Sequence, residues 1–99
     1  MKDTWERVGE IGVDAGLCWI GDPCYIMGQD ANEHPVKTWA EFCDKLHQNE
    51  KDGVAQWHYK LGHMGLGVTV STGCGDGVYP VFIKRNKDGR ILQVKVLFD

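Results

Sequence analysis

The chain has 99 residues, a length suited to one domain with a thin core. Its 42% apolar content, with four Trp, three Tyr and three Phe, excludes a disordered chain. A formal net charge of −3 lacks the basic footprint of generic nucleic-acid binding, and no apolar run approaches the ~20 residues of a membrane helix.

Thirteen glycines imply many turns, which suits several short strands better than a helical bundle. The stretch Met1–Arg7 is charged and has no apolar signal core, so the expected location is cytoplasmic. Cys18, Cys24, Cys43 and Cys74 are then expected as free thiols.

In chain order the pattern predicts strand, strand, helix, then four strands. Residues 7–13 carry Val8, Ile11 and Val13 among small and polar residues. Residues 17–20, Leu-Cys-Trp-Ile, form a short apolar run of buried-strand type, with Asp14-Ala15-Gly16 as a tight turn between the two. Gly21-Asp22-Pro23 breaks the second strand, because Pro23 has no N–H for a ladder, and Cys24–Met27 is expected to resume it. Residues 28–35 read as a polar loop.

One helix is predicted next. Val36, Trp39, Ala40, Cys43, Leu46 and His47 recur at spacings of three and four, which places them on one face. Thr38 with Glu41 resembles a capping box and Pro35 suits a first turn, so the helix can begin at either. Asn49–Gly53 ends it. His47 is expected at the core or its boundary, and Cys18 and Cys43 as small buried apolar residues.

Residues 54–61 alternate, with Ala55, Trp57, Tyr59 and Leu61 on one side. Residues 65–71 alternate again, Leu66, Val68 and Val70 against Gly67, Thr69 and Ser71. Residues 78–85 and 90–98 read as a hairpin across Asp88-Gly89. Pro80 predicts an unpaired edge or a bulge in the first of these strands. Free edges are expected near residues 8–13 and 78–85, which would let copies of the chain pair.

The candidate site residues lie in two segments. Thr72-Gly73-Cys74-Gly75-Asp76-Gly77 is the most glycine-rich loop, and such a loop lets backbone N–H groups approach a ligand or form an anion nest. It joins two strands and opens no helix, which excludes a P-loop or dinucleotide fingerprint. Turn geometry with positive φ at Gly75 or Gly77 is the simpler account. Asp22-Pro23-Cys24-Tyr25 groups a carboxylate, a thiol and a phenol, and an Asx-type turn is again the simpler account.

Cysteine spacing gives no C-x-x-C pair; His58 and His63 sit five apart, but on a predicted strand and the turn after it, and a zinc site would need them to meet Cys24 or Cys74 in space. A Cys24 or Cys74 nucleophile with His58 or His63 as base and Asp22 or Asp76 as orienter is chemically feasible, yet no spacing selects it. The tryptophans are mostly core material, and one or two at a rim could stack on a planar ligand such as a nucleobase.

The blocks Val13-Asp14-Ala15-Gly16, Asp22-Pro23-Cys24-Tyr25, Gly75-Asp76-Gly77-Val78-Tyr79-Pro80-Val81 and Asp88-Gly89-Arg90-Ile91, closing on Phe98-Asp99, resemble a pattern in small uncharacterised bacterial and phage proteins that carry a domain-of-unknown-function label. They span residues 8 to 99 but leave residues 28–62 unmatched. The resemblance implies a compact β-rich fold and a cytoplasmic, phage-type setting. It supplies no activity.

The expected architecture is a single α+β domain over residues 1–99. It would be a bent antiparallel sheet or small open barrel of five to seven strands with one packed helix. The leading functional expectation is a non-enzymatic small-ligand binder that sequesters a nucleotide-type immune signal, lined by Asp22, Cys24, Tyr25, Thr72, Gly75, Asp76, Gly77 and Tyr79 with a Trp as lid. The alternatives are a protein-interaction module that inhibits a host enzyme and a small Cys/His hydrolase. The expected partners are a small molecule and further copies of the chain. No cofactor, metal, nucleic acid or membrane is expected.

Overall fold

The computed structural model describes residues 4–23, 38–57, 65–73 and 75–99. Its elements are β1 (Glu6–Val13), β2 (Leu17–Gly21), α1 (Trp39–Asn49), β3 (Val54–Trp57), β4 (Gly67–Ser71), β5 (Gly77–Arg85) and β6 (Ile91–Val96). They form two compact units, one of Met1–Gly16 with Thr72–Asp99 and one of Leu17–Ser71. The chain is β-rich and broadly α+β, with six strands and one helix among the described residues. The six strands fall within the expected five to seven, but they do not form one continuous sheet: they form two three-stranded antiparallel sheets, ordered β1-β5-β6 and β2-β4-β3.

The turn at residues 14–16 is present, with Gly16 at φ 69°, but β1 and β2 do not form a hairpin. Instead β1 pairs with β5, Ile11 opposite Tyr79 and Val13 opposite Gly77. Turn chemistry marks where a chain bends. Cross-strand side-chain fit decides which strands pair. In this unit Val13, Tyr79 and Ile83 are buried. Burial of an aliphatic side chain of this kind contributes about 1.5–3 kcal/mol.

The expected edge at 78–85 is corrected: β5 is the central strand, and the edges of its sheet are β1 and β6. Pro80 sits opposite Glu10 in the β1 ladder. Its carbonyl accepts from Leu97 N–H at 3.2 Å, on the β6 side. A strand residue directs N–H and C=O to the same neighbour, so the missing Pro80 donor also faces β6. The regular β5–β6 register ends at Val81 opposite Val96, one step short of Pro80. The proline therefore falls where that ladder stops, and the bulge in β1 lies at Val8, away from it.

The β5–β6 turn is the expected one, widened to three residues. Gly89 N–H donates to Asn86 O at 3.1 Å, and Asn86 N–H to Arg90 O at 2.9 Å. Asn86 Oδ1 accepts from both Asp88 and Arg90 N–H groups, which holds the loop from inside.

In the second unit, β4 runs between β2 and β3. Trp57, Ala55 and Thr69 are buried on one face of this sheet, and Trp57 Nε1 donates to Thr69 Oγ1 at 3.1 Å. Gly21 and Gly67 face each other across β2 and β4. An added Cβ at Gly67 would lie 2.5 Å from the Trp19 ring and 2.8 Å from Ile20 O. The glycine pair is therefore the floor on which the Trp19 indole rests.

Helix α1 begins as expected at Thr38, whose Oγ1 accepts from Glu41 N–H at 3.1 Å. Its inner face differs from the expectation. Phe42 stacks on Trp57, with Cys43 and Leu46 half-buried, whereas Trp39, Ala40 and His47 are exposed. The packed face is centred on Phe42 because the β3 ring it meets is flat and accepts a flat partner. Cys18 is buried as expected and, like Cys43, is a free thiol. Residues 24–37 and 58–64 and Cys74 lie outside the described residues, and with them the expected continuation at 24–27, the polar loop at 28–35 and the end of the 54–61 strand.

Candidate functional site

The loop before β5 is pinned from below. Thr72 N–H donates to Gly16 O at 3.0 Å, where the chain leaves and rejoins the first unit. The Thr72 hydroxyl lies 2.8 Å from Gly75 O and 3.4 Å from Gly16 O. One hydroxyl has one proton, so the shorter contact is the donated bond. Tyr79 Oη donates to the same Gly75 carbonyl at 2.6 Å. Both lone-pair directions of that oxygen are thus engaged by side chains that are each 4% exposed. The Tyr79 ring meets Phe98 edge-on at 5.3 Å.

This arrangement holds Gly75, Asp76 and Gly77 at the surface. Gly75 has φ 84°, the left-handed region that the turn expectation required, and Gly73 shares it at φ 73°. Gly77 does not; it opens β5 in a strand conformation. Thr72, Gly75 and Tyr79 are therefore brought together by direct hydrogen bonds, and Asp76 and Gly77 lie on the loop they hold. Asp22 is exposed just after β2 in the other unit. Cys24 and Tyr25 lie outside the described residues, as do the Cys74, His58 and His63 of the thiol and zinc alternatives.

A second feature was absent from the sequence-based candidates as a site. Trp39, Phe42 and Trp57 form a stack: Trp39 to Phe42 at 5.2 Å and 14° between planes, Phe42 to Trp57 at 4.7 Å and 11°. Trp57 is buried and also meets Trp19 at 6.2 Å. Trp39 ends the stack at the surface, 60% exposed. The signal in the sequence is the Trp39–Phe42 spacing of three on a helix, which lays two rings over each other. Periodicity alone assigned Trp39 to the core side.

Burial pushes the Cys18 thiol above the usual thiol range, so it stays protonated and unreactive. No cluster of three His, Cys, Asp or Glu able to hold a metal occurs among the described residues, and none of their helices is long and apolar enough to cross a membrane.

No curated protein and no solved structure matches the chain. A family described as a protein of unknown function (DUF4241) matches residues 9–96, which takes in both sheets, the helix and the pinned loop. By that match over nearly its whole length, the chain belongs to the DUF4241 family.

Proposed function

We infer that the chain is a non-enzymatic binder of a small planar ligand of nucleotide type, with Trp39 as the surface on which the ligand ring stacks. The observation that carries this reading is the exposed Trp39 at the end of the Phe42–Trp57 stack. A surface Trp of 60% exposure forgoes much of its burial energy. The rings behind it fix its plane, so a stacking ligand would order little that is loose. Base–aromatic stacking of this kind contributes about 1–3 kcal/mol per base.

The pinned loop, in the other unit, carries a separate expectation of its own: Gly75 to Gly77 would offer backbone N–H groups and the Asp76 carboxylate to a polar ligand, and Asp76→Ala reads that role independently of Trp39. In the phage setting implied by the sequence resemblance, such a protein would hold a nucleotide-type immune signal out of circulation.

The test is a calorimetric titration with cyclic nucleotides and ADP-ribose derivatives, on the wild-type chain and on Trp39→Ala. Saturable binding that weakens by about 5- to 150-fold in Trp39→Ala supports the reading. Absence of binding across the panel, or equal affinity in the variant, overturns it.

A further inference from the structure

Strands β5 and β6 bring two lysines onto one aromatic ring. Phe82 and Lys84 lie on the face of β5 opposite the buried Tyr79 and Ile83, because side chains alternate along a strand. Lys95 stands opposite Phe82 on β6, and Gln93 opposite Lys84, so all four share that face. Trp5, just before β1, meets them there. Lys84 Nζ lies 4.8 Å and Lys95 Nζ 4.2 Å from the centre of its ring, and Lys95 Nζ lies 5.1 Å from that of Phe82. Trp5, Phe82 and both lysines are half-buried, so packing restricts where the ammonium groups can go.

The carboxylates of the adjoining strand are engaged elsewhere: Glu6 with Arg85 at 3.3 Å and Glu10 with Arg7 at 3.4 Å. Among the described residues, neither Lys84 nor Lys95 has a carboxylate partner. An indole ring attracts an ammonium group but occupies only one side of it, and each lysine carries three N–H donors. The two like charges also repel, and their separation cannot exceed the sum of their distances to the Trp5 centre. In a chain of net charge −3 this is a local positive site with donors to spare.

We propose that Lys84 and Lys95, mounted on Trp5, bind a phosphate dianion, either free phosphate or the terminal phosphate of a phosphomonoester. Such a group carries about −1.5 to −2 charge at pH 7 and presents several acceptor oxygens. One ligand therefore meets both ammonium groups and offsets their repulsion. A phosphodiester brings a single charge and is a poorer match. Gln93, exposed on the same face, adds an amide donor. All of these residues belong to the unit that does not contain Trp39, so the site stands apart from the stacking reading.

The test is an NMR titration of the full chain at fixed ionic strength with inorganic phosphate, methyl phosphate and dimethyl phosphate. It follows the Trp5 indole N–H resonance, assigned by its loss in Trp5→Phe. The expected result is a saturable shift with inorganic or methyl phosphate, with Kd on the order of 1 mM, and binding of dimethyl phosphate weaker by about 5-fold or more. The tighter of the first two ligands identifies the source of the phosphate. Lys84→Gln and Lys95→Gln, with unchanged circular dichroism, should each weaken binding by about 5-fold or more, while Trp39→Ala keeps the wild-type affinity. If a glutamine variant fails to fold, the methionine variant at that position, which keeps the packing of the stem, is read in the same assay. A Trp5 resonance that does not saturate by about 20 mM phosphate overturns the proposal. So does equal affinity for dimethyl phosphate, or an affinity unchanged by loss of either lysine.

Discussion

Replacing Tyr79 by Phe removes one hydroxyl and keeps the ring against Phe98. The hydroxyl donates to Gly75 O at 2.6 Å from a side chain that is 4% exposed. A neutral hydrogen bond of this type contributes about 0.5–1.5 kcal/mol net. Gly75 itself is exposed, so water reaches the vacated carbonyl direction and holds the loss near ~1 kcal/mol, short of the penalty for a stranded buried acceptor. Thr72→Val removes the other donor to the same oxygen at similar cost. In a unit of this size ~1 kcal/mol lowers the melting temperature by roughly 4–8 °C. The larger effect is local. With one donor left, Gly75 stays pinned; with neither, the loop opens. Amide exchange at Asp76 and Gly77 is therefore expected to rise modestly in each single variant and by about 5-fold or more beyond their product in the double variant. Thermal unfolding with hydrogen exchange read by NMR measures both. A double variant with unchanged exchange at Asp76 and Gly77 would refute the claim that these hydroxyls hold the loop.

Gly67→Ala drives a Cβ into the Trp19 ring and Ile20 O, and is expected to cost about 1–3 kcal/mol in chemical denaturation. Thr38→Ala removes the N-cap acceptor of α1 and is expected to cost about 1 kcal/mol, with faster exchange of the Glu41 amide. The buried Cys18 thiol ionises at higher pH when folded than when unfolded, so the unfolded state releases its proton first and stability falls as pH rises through the ordinary thiol range. Cys18→Ala should flatten that part of the stability–pH curve; an unchanged slope contradicts the assignment.

Local chemistry made several elements legible in the sequence. Asp88-Gly89 marks a turn because only certain residues adopt its backbone, and Thr38 marks a helix start because its hydroxyl accepts from the Glu41 N–H. Pairing over long separations was not legible. Residues 6–13 pair with 77–83, and nothing near Gly16 announces that partner. Pro80 suggested an edge because a proline removes a donor; the structure places that lost donor at the end of a neighbouring ladder instead. Thr69 is buried because Trp57 Nε1 needs an acceptor, a requirement visible only once β3 lies beside β4. Of the candidate site, the left-handed Gly75 could be read from glycine spacing, whereas the shared acceptor for Thr72 and Tyr79 required the fold. Trp39 was placed with the core by its period, since periodicity gives a face and not the partner that covers it.

The central claim is that Trp39 is a stacking surface for a planar nucleotide-type ligand. The most direct measurement follows the Trp39 indole N–H resonance, assigned by its loss in Trp39→Ala, during titration with cyclic nucleotides and ADP-ribose derivatives. The account predicts a saturable upfield shift of that resonance, larger than those of Trp5, Trp19 and Trp57. A Trp39 resonance that stays unmoved while a ligand binds, or with every ligand in the panel, would contradict it.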